Sequence, residues 1–263
     1  MNGFLIWLWS SLAKAEPEYS PVPWTKEQAH SLDKGEKETG IFGPLRLGFG
    51  KGWEGSIQPV LFFWAPGAMV KKELWGEGNH QLALSSGGVY AAPLLNLLAR
   101  EGIGGVLAPD IVVPKLPKLK LIGHYTFQPN QHGLSLWQRL DVVPGAGQYD
   151  DAAVLDEGGF PYTSIDAPMA YSRTVVFRSG IGLQTGLIFH GSFAARWQYE
   201  CKSAIWVHPN LDEHQWSVEE QLMLRFLPKP DRAVQIGAVY TVSDFPYGRQ
   251  WHLLPTLDVR WFW

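Results

Sequence analysis

The chain has 263 residues, enough for one large β domain or two ordinary ones, and 46% of them are hydrophobic. Its 22 basic and 25 acidic residues leave a formal charge of -3 with no basic block, which argues against nucleic acid as a partner. The single cysteine, Cys201, cannot form an internal disulfide, and no stretch past the N-terminus has the roughly eighteen apolar residues of a membrane helix.

Residues 4–12 (FLIWLWSSL) form an apolar core followed by Ala13-Lys14-Ala15, an A-x-A cleavage pattern. The expectation is a signal peptide over residues 1–15, although only Met1, Asn2 and Gly3 precede the core and none is basic. A buried N-terminal helix or strand is the alternative. Residues 16–38 are rich in proline and charge and read as a periplasmic arm, or as a short helix capped near Thr25.

From Thr39 to the end, segments of about ten residues alternate in hydrophobicity between turn signals, the pattern of barrel strands. Ile41 to Phe49 reads as one strand with Arg46 on its polar face, and Gly50-Lys51-Gly52 as its turn. Strands at 57–64, 69–75 and 82–90 follow. Residues 91–117 break the pattern, with Leu94, Leu95, Leu97 and Leu98 suggesting a short amphipathic helix. That connection could plug the barrel, cover its end or meet a protein partner.

Alternation resumes at 119–127, with Lys120 and His124 on the polar face, and at 134–142, with Arg139 there. Residues 145–170 form a second long connection. Its acidic run (Asp150, Asp151, Asp156, Glu157) does not match a calcium loop and reads as solvated. A weak strand is expected at 173–179. The C-terminal third is the most regular: polar faces carry His190 and Arg196, then Glu200 and Lys202, then Glu219 and Arg225. Glu220 falls on an apolar face and is expected near one end of its strand. His208 and His214 bracket a loop that could hold a metal through His and carboxylate groups, but with no second cluster at fixed spacing it reads as a polar surface loop.

In the last segment Trp251, Leu253, Pro255, Leu257, Val259, Trp261 and Trp263 alternate with residues that include Asp258 and Arg260. The same alternation would serve the last strand of a soluble sandwich or lipocalin-like barrel. An amphipathic strand ending on an aromatic, with Leu257, Val259, Trp261 and Trp263 as an insertion signal, resembles the C-terminus of bacterial outer-membrane β-barrels. Thirteen tryptophans suit an interfacial belt. With the export signal and the strand pattern, the chain resembles such a barrel over most of its length. The resemblance is to an architecture and carries over no site residues.

The expected fold is therefore all-β: one antiparallel transmembrane barrel of about twelve strands, or ten without the weak ones, over residues 39–263, with one short helix in a long loop. It implies the bacterial outer membrane as location, with membrane lipid and the barrel-assembly machinery as partners. One difficulty remains in the count. It puts both long connections at the end that holds the chain termini, where barrels keep turns short. Either the count is off by one strand before Ala91 and again after it, or the barrel is atypical.

The polar faces gather Arg46, Lys120, His124, Arg139, His190, Arg196, Glu200, Lys202, Glu219, Arg225, Asp258 and Arg260 towards the lumen. Such groups either cross-link a filled interior or line an aqueous path. The first expectation is a channel or transporter for small polar solutes. The second is a non-conducting structural or assembly component that binds a partner through residues 91–117 or 145–170. A lipid-modifying enzyme is third and not expected. Its nearest pair, His190 and Ser192, is about 7 Å apart along a strand, and there is no G-x-S-x-G elbow. No cofactor is expected.

Overall fold

A computed structural model of the chain describes residues 27–98, 115–129, 132–144, 176–209, 216–245 and 248–263. Twelve strands close into an antiparallel barrel in which each strand pairs with its sequence neighbour and the first pairs with the last. They are β1 (Lys37–Gly40), β2 (Leu45–Gly50), β3 (Trp53–Ile57), β4 (Gly67–Glu77), β5 (His80–Val89) and β6 (Lys118–Phe127), then β7 (His132–Val142), β8 (Ile181–Ala194), β9 (Trp197–Val207), β10 (Trp216–Lys229), β11 (Arg232–Phe245) and β12 (Gly248–Phe262). Among the described residues, two short helices, α1 (Ala92–Leu98) and α2 (Val176–Ser179), lie in the long connections.

The fold class and the number twelve agree with the sequence, but two offsetting differences lie beneath that agreement. Residues 41–49 are not one strand. Gly40 and Gly43 pack against the Asp258 carboxylate, Phe42 N donates to Asp258 Oδ1 at 3.1 Å, and the chain reverses between β1 and β2. Within the segment expected as a strand at 173–179, residues 176–179 are helical, and 173–175 lie outside the described residues. The segment at 57–64 is also displaced: β3 ends at Ile57, and Val60 to Trp64 form an exposed loop.

Five strands therefore precede Ala91, and the difficulty over the two ends disappears. At the end where β1 starts and β12 finishes, the connections are all short: 51–52, 78–79, 128–131, 195–196 and 230–231. The first of these runs through positive φ at Gly50, Lys51 and Gly52, a backbone path that suits glycine. Both long connections leave the opposite end, where Ala65, Ala91, Val143 and Val176 form an apolar cluster at the rim, with Leu94 of α1 packed on it. There the helix covers the rim; it does not fill the lumen.

Alternation sorts the side chains as expected. Leu119, Leu121, Leu136, Leu187, Ile205, Leu222, Ile236, Leu253 and Leu257 are exposed on the outside, an apolar surface too continuous for a water-facing monomer. It has the character of the hydrocarbon-facing band of a membrane barrel. Rings gather towards the short-turn end of this face: His80 stacks on Phe127 at 4.8 Å, and Trp197 lies 4.8 Å from Phe226. Trp137 and Trp206, in contrast, are buried inside. The tryptophan count thus overstates the belt.

Candidate functional site

The lumen is built from the inward face of each strand, together with a segment that the sequence places elsewhere. Residues 27–32, expected in a periplasmic arm, lie inside the barrel and form no helix, whereas residues 33–36 are exposed; Thr25 lies outside the described residues. Ala29 and Leu32 are buried. Ala29 N donates to Thr126 Oγ1 at 2.9 Å, Leu32 N to Glu54 Oε2 at 3.1 Å, and Ser31 N to Glu73 Oε1. Lys71 Nζ donates to the carbonyls of Gln28 (3.2 Å) and His30 (2.8 Å). His124 Nδ1 donates to the Glu27 carbonyl at 2.7 Å, while its Nε2 faces Ser85 Oγ at 2.7 Å. Irregular backbone can stay buried only when its polar groups are satisfied, and here the barrel wall supplies the partners.

Gly48 shows how close the fit is. A Cβ there would come within 1.9 Å of the Asp33 carbonyl oxygen, while Gly35 N donates to Gly48 O (3.0 Å) and Gly48 N to Glu36 O (2.9 Å). Residues 32–33 thus lie against the inner face of β2 at Gly48, while residues 35–36 continue the β1–β2 ladder.

Beside it sits an ionic cluster. Arg46 is fully buried, with Nη1 2.6 Å from Glu38 Oε2 and with Nε and Nη2 each 2.8 Å from the Glu54 carboxylate. Lys71 lies 3.6 Å from Glu54, Arg260 2.6 Å from Glu38, and Asp258 3.5 Å from Arg260. Three cations and three carboxylates therefore balance across β1, β2, β3, β4 and β12. Towards the other end, Arg139 makes a two-pronged contact with Asp141 (2.7 and 2.6 Å), and Lys118 lies 3.5 Å from the same carboxylate.

Of the lumen residues expected from sequence, Arg46, Lys120, His124, Arg139, His190 and Glu200 face inward, as do Lys202, Glu219, Arg225, Asp258 and Arg260. Arg196 does not. The strand stops at Ala194 after a register shift at Ser192, so Arg196 falls in an exposed turn. Leu257, Val259 and Trp261 lie on the outer face of β12, with exposed Trp263 just beyond it. His190 Nε2 lies 3.5 Å from Ser135 Oγ across the β7–β8 pair. Residues 1–15, the acidic run at 150–157 and the loop at 210–215 lie outside the described residues.

The sequence left out Glu38, Glu54, Lys71 and Trp137. The first two had a signal: Glu38, Arg46 and Glu54 recur every eight residues, about one short strand plus its turn in this part of the chain. Lys71 and Trp137 had only alternation to mark them.

Two adjoining cavities lie among the described residues. The larger, about 750 Å³, reaches the long-connection end past Pro44, Gln58 and Ala65, and Glu27 lies along its wall. The smaller, about 140 Å³, is lined by Trp137, Trp206, Gln184 and Ser85; Lys120, Arg139 and Lys202 line both.

No protein-family model matches the chain, and no curated protein matches it. Solved structures similar to it include the NanC porin (10% identity, 86% of this chain and 96% of that one, TM-score 0.47). An anion-selective porin from Comamonas acidovorans matches at 7% identity over 84% of this chain and 58% of that one, TM-score 0.42. The outer-membrane channel DcaP of Acinetobacter baumannii matches at 7% identity over 84% and 62%, TM-score 0.41.

Proposed function

We propose that the chain is a bacterial outer-membrane channel for small polar solutes, with residues 27–32 as an internal stopper. The observation that carries this reading is the cavity of about 750 Å³, bordered by Lys118, Arg139, Lys202, Glu219 and Asp258 and reaching one end of a barrel whose outside is apolar. A barrel that needed only to be stable could fill this space with side chains; ionisable groups around an open volume suit hydrated solutes.

The stopper is held by hydrogen bonds and ion pairs as well as by its two buried apolar side chains. Lys71 supplies two of those hydrogen bonds from one ammonium group. In planar bilayers the intact protein should show low or intermittent conductance, and Lys71→Met should raise the open fraction several-fold. Silence from both proteins, each inserted and folded, would overturn the channel. That silence would favour the second reading, a sealed barrel that binds a partner through its long connections. The full burial of Ala29 and Leu32 is what speaks for it.

A further inference from the structure

The smaller cavity has a chemical bias that the channel reading leaves unused. The indole Nε1–H groups of Trp137 and Trp206 are buried, and neither has a hydrogen-bond partner. Buried donors are nearly always satisfied, so two orphans lining one cavity call for an explanation. Both indoles are seated firmly. The Trp137 ring lies against Gly186, where a Cβ would come within 2.3 Å of it. The Arg139 guanidinium sits 4.7 Å over the Trp206 ring, and Lys202 Nζ lies 5.2 Å over that of Trp137. Each aromatic face thus positions a cation while its N–H edge lacks an acceptor.

An indole N–H, an ammonium and a guanidinium can only donate. Around this cavity stand Lys71, Lys120, Arg139 and Lys202 with two carboxylates, Glu54, which lies 3.6 Å from Lys71, and Glu27, which lies 3.5 Å from Lys202, so the cations outnumber the carboxylates by two. Asp141 engages Nε and Nη2 of Arg139, which leaves Nη1 for another acceptor. A volume of about 140 Å³ is close to that of an engineered cavity known to hold benzene. It suits a carboxylate or phosphate group with a few further atoms.

We infer that this cavity is a binding site for the oxyanion group of a small organic solute, a carboxylate or a phosphate, with the rest of the solute in the larger cavity. The inference rests on the lumen being a solute path and names the class of solute. The Trp137 and Trp206 N–H groups donate to the oxyanion, Lys120, Lys202 and Arg139 Nη1 neutralise it, and the neutral remainder lies towards the long-connection end.

The test is calorimetric titration of the full chain in detergent with glucose 6-phosphate, gluconate and glucose. At least one of the two anions should bind saturably at one site per chain, with glucose about tenfold weaker or worse; which anion binds decides between phosphate and carboxylate. Trp206→Phe keeps an aromatic ring beside Arg139 but loses the N–H together with part of the indole, so it should weaken binding about tenfold or more. Lys202→Met should weaken it by about tenfold or more. Retention of the folded, heat-modifiable band on gels shows that each variant still forms the barrel. Glucose binding as tightly as the anions, no saturable binding, or full affinity in both variants would overturn the site. Conductance without oxyanion binding removes the site and leaves the channel; binding without conductance does the reverse.

Discussion

At the scale of single residues, the closest constraint in the lumen is the absence of a side chain. Gly48 meets the backbone of residues 32–33, and a carbonyl oxygen cannot swing aside as a flexible side chain can. Gly48→Ala should therefore lift residues 27–32 from the wall without opening the barrel. Amide exchange at Ala29, Ser31 and Leu32 should speed up by about tenfold or more, a local loss of at least about 1.4 kcal/mol. Unchanged protection, measured by mass spectrometry on the folded protein, would mean that the segment is held elsewhere. Arg46 illustrates how far a sequence can be read at this scale. Its inward position follows from alternation alone. Its partner Glu38 depends on the tight reversal at residues 41–44, which resembles continued strand because Ile41, Phe42 and Pro44 keep an apolar rhythm; its partner Glu54 comes through the turn at 51–52.

At the scale of elements, strands were legible where they are long and alternate cleanly, as in β6, β7 and β9 to β12. They were misjudged where apolar residues occupy both parities, as in the exposed Val60 to Trp64 loop. The lumenal segment was illegible for a different reason: proline and charge read as a solvated arm, yet its backbone is satisfied by Thr126, Glu54 and Glu73 on other strands. Long-range polar partners leave no period in a sequence. Glu220 lies on the outer face, as expected, and nearer one end of its strand. It is four residues from Trp216 and nine from Lys229 within β10, beside Tyr240 of β11, with Ser203 Oγ donating to it at 2.6 Å. A carboxylate at that depth carries a small cost in hydrocarbon and none in water. Glu220→Leu should accordingly stabilise the protein in lipid vesicles by about 0.5–1 kcal/mol in urea titrations. A neutral or destabilising result would argue that this face meets something other than acyl chains.

At the scale of the whole molecule, connection length divides the barrel into two ends, and this asymmetry sets its orientation in a membrane. Outer-membrane barrels keep their short turns on the periplasmic side, so in the proposed location the end from which the long connections leave should face the cell exterior. An epitope inserted after Asn96 should be reached by antibody on intact cells, and one inserted after Asn79 only after the cells are permeabilised. The opposite pattern would invert the barrel. The meander order could be read from the sequence because neighbours in the chain become neighbours in the sheet. The one pairing that breaks this rule joins β1 to β12, and there a strand of four residues meets one of fifteen. So short a ladder contributes few backbone hydrogen bonds, and the ion pair between Arg260 and Glu38 spans the same join. This seam unites the two ends of the sequence, so it is the last to zip during assembly, after every other hairpin has formed. It is also the first place where the wall would part under load, and what fastens it there is charge more than sheet.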